Sequence, residues 1–158
     1  MASYGAHHYK PLGRWVTCSS GDVPPNAVAG GNDHGETIFV GRAVQDGDVI
    51  PGKVVSSHSC CYVSYGGEER RHSEYQALVS DGAEFVWLPS SDGAVPCGAI
   101  QGGTCESGER LYIGRTFHNN TITIGKVHPS HRCLYIPYGG KEHSYDEYEV
   151  LVCKTVDF

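Results

Sequence analysis

The sequence predicts an all-β protein made of two tandem homologous repeats with pseudo-two-fold symmetry and a strand exchanged between them. Three observations carry that prediction. The chain reads GGNDHGETIFVGR at 30–42 and GGTCESGERLYIGR at 102–115, so one unit is written twice. Its apolar runs are short, rich in β-branched and aromatic residues, and bounded by Gly, Pro, Asn or Asp. No window long enough to form a helix has the 3.6-residue period of an amphipathic one.

In chain order, 1–14 is a polar, His-rich lead-in, 15–79 the first repeat, 80–84 (SDGAE) a linker, 85–153 the second repeat and 154–158 a tail. Val23-Pro24 and Gly30-Gly31 recur 72 residues later at Val95-Pro96 and Gly102-Gly103. After one inserted residue the displacement becomes 73, and Gly41-Arg42, Gly52-Lys53-Val54, His58, Cys60, Tyr65-Gly66-Gly67, Glu69, Glu74-Tyr75 and Leu78-Val79 all recur. The strands are read at TIFVGRAV, GKVV and QALVS in the first unit, and at RLYIGRTF, TITIGKV, CLYIPY and YEVLV in the second. Unpaired strand edges must be covered, so the two units are expected to share a core. Gly41 and Gly114, inside strands, predict close approach of another chain segment.

A chain of 158 residues can bury a core without staples. Twelve Lys and Arg against 18 Asp and Glu give a net charge of -6, which offers nucleic acid no overall attraction. Arg70-Arg71 alone reads as a solvated turn. The amino terminus shows no apolar signal region and no run reaches eighteen apolar residues, so a cytoplasmic protein is expected, with vesicle association or unconventional export as variants. Seven cysteines without a C-x-x-C pair predict free thiols. Asn119-Asn120-Thr121 is read as a turn.

Catalysis is not expected. Glu68, Glu69 and Glu142 have no spacing that selects an acid/base pair, and Cys60 recurs as Cys133, which fits a buried strand position better than a nucleophile. No metal or cofactor is expected either: His7-His8, His34 and Cys60-Cys61 lack the ligand spacing of structural zinc sites. Glu69 and Glu142 are read as acceptors of turn amides, and His58 and His131 as packed histidines. Tyr62, Tyr65, Tyr135 and Tyr138 could equally stack on a ligand or form contact surface.

The combined blocks W-V, G-x-V-P-x-x-A-V-x-G-G, G-E-x-I-F-V-G-R-A, P-G-K-V, Y-G-G-x-E and E-Y-x-x-L-V resemble the tandem DM-nine repeat family over residues 15–153. Within it, the chain looks similar to infection-responsive insect members of salivary gland or midgut. The resemblance implies a calcium-independent lectin for mannose-type glycans, acting without metal, typically as a homodimer, in an innate immune response. It also implies that Asp33 and Lys53 hold the sugar. A carboxylate that only accepts beside an ammonium that only donates does suit a vicinal diol; a surface salt bridge is the competing reading. In the second unit Lys126 is retained. A displacement of 72 puts Cys105 opposite Asp33, whereas an insertion just after Gly103 puts Glu106 there and makes Lys126 and Glu106 a second site. An interaction protein on vesicle or microbial surfaces, with sugar binding incidental, is the alternative function.

Overall fold

The computed structural model describes residues 12–154. Fourteen strands fill them: β1 (Gly13–Ser19), β2 (Ala29–Asp33), β3 (Glu36–Gln45), β4 (Asp48–Val55), β5 (Cys60–Tyr65), β6 (Glu68–His72) and β7 (Glu74–Ser80) in the first unit, then β8 (Glu84–Ser91), β9 (Gln101–Thr104), β10 (Arg110–His118), β11 (Thr121–His128), β12 (Cys133–Tyr138), β13 (Lys141–Tyr145) and β14 (Glu147–Lys154) in the second. Two single 3₁₀ turns, Ser56–His58 and Pro129–His131, occupy matching places. The first unit thus begins two residues before Trp15, and β7 and β8 take the ends of the expected linker. His7-His8 and most of the lead-in lie outside the described residues.

All neighbouring strands pair antiparallel, and the units join reciprocally. β2 pairs with β3 of its own unit and with β11 of the other (Asn32 opposite Ile122), while β9 pairs with β10 and with β4 (Thr104 opposite Val49). The expected exchange therefore takes the form of a strand wedged into the other unit's sheet while keeping its own partner. A third junction joins β6 to β13 at Glu68 and Lys141. The strands β2, β3, β4, β5, β6, β13, β12 and β11 close on themselves by successive ladders. Closure removes edges that would otherwise template aggregation. β1 and β8 lie outside the circuit, on β7 and β14 respectively.

The glycine pairs explain the wedge. A Cβ on Gly31 would lie 2.0 Å from the Ile122 carbonyl oxygen, and one on Gly103 would lie 1.9 Å from that of Val49. Only hydrogen fits where backbone meets backbone so closely. The Val-Gly-Arg and Ile-Gly-Arg strands seal the same junctions. The Arg42 guanidinium stacks 4.2 Å over the Trp15 ring and reaches the Gly102 carbonyl at 3.4 Å; Arg115 stacks 4.4 Å over Trp87 and reaches the Gly30 carbonyl at 3.1 Å. Each arginine is thus braced by a cation–π contact within its own unit and hydrogen-bonds the other unit's glycine strand.

Between the units lies the shared core: Ile38, Val40, Val55 and Leu78 from the first with Ile113, Ile124 and Leu151 from the second. Each unit adds its own cluster, around Ile50, Val54 and Val63 in one and around Val127, Leu134 and Ile136 in the other. All seven cysteines are free, and Asn119 and Asn120 form a two-residue turn with positive φ. Gly41 and Gly114 do meet close neighbours, the Val54 and Val127 side chains, at 2.6 and 2.7 Å from a built Cβ.

Gly31→Ala tests the wedge. Its methyl must push β2 off β11, so unfolding free energy should fall by about 2 kcal/mol or more in urea denaturation, while the exposed Ser19→Ala should stay within about 0.5 kcal/mol.

Candidate functional site

At the junction of the units, Asp33, His34, Lys53, His58, Tyr62 and Glu69 of the first meet Tyr138 and Gly139 of the second around a cleft of about 300 Å³. Asp33 ends β2, just before a tight turn in which His34 and Gly35 both have positive φ (52° and 89°), as a two-residue hairpin requires. Lys53 lies mid-strand on β4, opposite Tyr62 of β5. The sequence thus brings together the two residues that the family resemblance singles out.

Lys53 is 3% exposed, and its ammonium donates to Thr123 Oγ1 at 3.0 Å, between the Tyr138 ring at 4.9 Å and the Tyr62 ring at 5.8 Å. An ammonium has three protons to give, so this contact leaves two. Burial pushes the Lys53 pKa down, and the nearby charges of Glu69 and Asp33 only partly restore it. Asp33 Oδ1 is buried without a hydrogen-bond partner; His34 Nε2 lies 3.6 Å away, beyond hydrogen-bond distance. A buried carboxylate oxygen left bare is costly unless something completes it. His58 Nδ1 meets the Tyr62 hydroxyl at 2.9 Å, and His34 Nε2 meets that of Tyr138 at 3.3 Å, so both histidines fix the tyrosines that wall the cleft.

The recurrent glutamates do hold turn amides, but across the two-fold axis. Gly140 N–H donates to Glu69 Oε1 and Gly67 N–H to Glu142 Oε1, each at 3.0 Å. Glu69 therefore orders the other unit's Y-G-G turn while its charge faces Lys53.

The second unit repeats the frame without its acceptor. Lys126, 5% exposed, lies 5.5 and 5.8 Å from the Tyr135 and Tyr65 rings, and His131 holds the Tyr135 hydroxyl at 2.9 Å. The ammonium pairs with Glu142 Oε2 at 3.4 Å. Glu106 does not take the place of Asp33. Asp33 faces Glu36 across its turn, and the Cys105 amide likewise donates to the Glu109 carbonyl; Glu36 and Glu109 are true counterparts, since they cap Ser57 and Ser130 in the same way. The inserted residue falls inside the turn, and Cys105 holds the position of Asp33. Glu106 stands on that turn, exposed, its amide bonded to Asp48 Oδ1 at 2.8 Å. The structure does not bring it to Lys126.

Two grooves of similar size, about 350 and 370 Å³, flank Phe117 and Val44. Their arginines are already engaged, Arg115 with Glu149 at 2.8 Å and Arg42 with Gln76 at 2.8 Å.

Sequence reasoning left out Thr123 and His128. Both show as asymmetries of the repeat, Ile50 against Thr123 and Val55 against His128, and neither belongs to a motif.

Fold and cleft together define a class: a tandem-repeat β-protein whose two units close one circuit and form a charged, tyrosine-walled cleft where they meet. Residues 32–145 match the DM9 repeat model, and the chain belongs to the DM9 repeat family. Among its relatives are Natterin-4 of Thalassophryne nattereri, 33% identical over 141 residues, covering 87% of this chain and 33% of the relative, and Natterin-3 of the same species, 39% identical over 93 residues, covering 58% and 23%. The chain thus spans about a third or less of these relatives. The solved nematode sperm cell motility protein MFP2B superposes with a TM-score of 0.65 at 16% identity, over 96% of this chain and 51% of that one, which shows a shared fold.

The depressed Lys53 pKa makes a signed prediction. Between the native value and the ordinary lysine value near about 10.4, the unfolded chain holds more protons than the native one, so this residue's contribution to stability rises with pH through that window. Urea denaturation from about pH 8 to about pH 10 should show that rise in the wild type relative to Lys53→Met, which lacks the group.

Proposed function

We propose that the cleft binds a hexose of the mannose type through Asp33 and Lys53, without calcium, and that the protein is a lectin. One observation carries this reading. Asp33, whose buried Oδ1 has no hydrogen-bond partner, and Lys53, whose ammonium is bonded to Thr123 alone, line the same cleft, one purely an acceptor and the other purely a donor. Adjacent sugar hydroxyls each give and accept one hydrogen bond, so a single diol completes both groups. Tyr62 and Tyr138, which line the cleft, add aromatic surface for the apolar side of a pyranose. No cation is needed, because the lysine already provides the positive charge.

Membership in the DM9 repeat family supports the same reading. A shallow cleft for one sugar binds weakly, so useful affinity requires several clefts on one particle. A homodimer would supply them and raise avidity by about a hundredfold or more. Recognition of microbial or internalised glycans during an infection response, by a cytoplasmic or vesicle-associated protein, is the biological role that fits. Glu106 has no part in it, and Lys126 belongs to the scaffold.

Calorimetric titration with mannose in the presence of EDTA tests the proposal. Wild type should bind, and Asp33→Ala and Lys53→Met should each weaken binding by more than about tenfold, as loss of hydrogen bonds to a charged group does. Lys126→Met should leave affinity and stoichiometry unchanged. Silence of the wild type toward every mannoside would overturn the lectin reading.

A further inference from the structure

We propose that Cys105, Glu109 and His128 form a binding site for a thiophilic divalent cation of the zinc type, set in the second unit where the first holds Asp33. The sulfur of Cys105 lies 3.8 Å from His128 Nε2, and Glu109 Oε1 lies 3.0 Å from the same nitrogen. One ligand atom from each residue falls within 4.8 Å of the other two. Zinc bonds of about 2.3 Å to sulfur and about 2.0 Å to nitrogen put tetrahedral ligands about 3.5 Å apart, so the donors already stand near a coordination geometry. Thiolate, imidazole and carboxylate are the donor types zinc selects, and three of them leave one position for solvent.

The repeat supplies the second argument. Glu109 has a counterpart in Glu36, but Cys105 stands for Asp33 and His128 for Val55. Two departures from the first unit, one in the turn after β9 and one at the end of β11, converge on one recurrent carboxylate, and both introduce donors that suit zinc. The inserted residue lengthens the turn that follows Cys105 to three residues, with Gly108 at φ 97°. His128 is 8% exposed, and its Nδ1 has no partner, so the ring is held only through Nε2 and its stacking on His131, 3.6 Å between centroids.

The charges around the cluster agree. Asp48 and Glu109 place two negative charges beside the Cys105 sulfur against the one positive charge of Lys126, a balance that favours a cation there. Binding displaces the thiol proton to solvent and requires a neutral imidazole that keeps its proton on Nδ1 and offers Nε2 to the metal. Sequence reasoning weighed His7, His8, His34, Cys60 and Cys61 for metal, and none of them belongs to this cluster.

The test is titration of the reduced full chain with Zn²⁺ alone, followed by Co²⁺ as a spectroscopic probe. One ion per chain should bind, with affinity falling at least about tenfold in Cys105→Ser and in His128→Val, the second restoring the first unit's residue and leaving folding intact by circular dichroism. Co²⁺ should give a sulfur-to-cobalt charge-transfer band in the near ultraviolet. Uptake unaffected by both variants would overturn the proposal by placing the ion elsewhere. Absence of the cobalt band in the wild type would overturn it even if Cys105→Ser failed to fold. Mannose binding at Asp33 should be unchanged by EDTA, which keeps this site and the sugar cleft experimentally separate.

Discussion

Everything in this molecule depends on a backbone-to-backbone contact that only glycine permits. Gly31 and Gly103 let a strand of each unit lie against a strand of the other, with carbonyl oxygens where a methyl group would otherwise be. Once β2 lies on β11 and β9 on β4, Arg42 and Arg115 can reach across to the glycine carbonyls, and Ile38 and Val40 can pack on Ile113 and Ile124. Neither unit could close the circuit alone, because it takes strands from both. The cleft inherits this: Lys53 of one unit is anchored by Thr123 of the other and covered by Tyr138. A site made by two units cannot survive their separation.

The scaffold then allows the two clefts to diverge. Both keep a buried lysine, two tyrosines, a histidine that fixes one of them and a glutamate that holds the opposite Y-G-G turn. What differs is the last residue of the glycine strand and one side chain beside each lysine. Thr123 gives Lys53 a neutral partner and leaves its charge available, while Ile50, its counterpart, gives Lys126 no such acceptor, and Lys126 turns to Glu142 at 3.4 Å. A lysine already paired with a carboxylate has less to offer a ligand, and a thiol opposite it accepts only weakly.

Much of this was legible in the sequence, for identifiable reasons. The repeat, the all-β class, the shared core and strands such as β3, β10 and β11 follow from apolar runs that alternate or are buried on both faces. β6 and β13, EERRH and KEHSY, carry no such pattern, because they lie where one unit joins the other and none of their side chains is fully buried. β2 and β9 were legible only as glycines, since their strand character comes from neighbours on both sides. The position of the inserted residue could not be read at all. Turn length fixes it, two residues after Asp33 against three after Cys105, and either choice aligns the flanking motifs equally well.

Recurrence and function therefore point in opposite directions here. A residue kept in both units, such as Glu69 and Glu142 or Lys53 and Lys126, serves first what the units share: the glutamates bond the opposite turns and Lys126 is tied to one of them. Lysine at this position is part of the frame in both units, and only Lys53 shares its cleft with an unpartnered carboxylate. The departures carry the chemistry. Asp33 against Cys105, and Val55 against His128, are changes the scaffold tolerates because both positions lie where β2 and β9 end or β4 and β11 run out into a 3₁₀ turn. There each ladder makes its last pairing before the chain turns, and a change of side chain disturbs few further strand contacts.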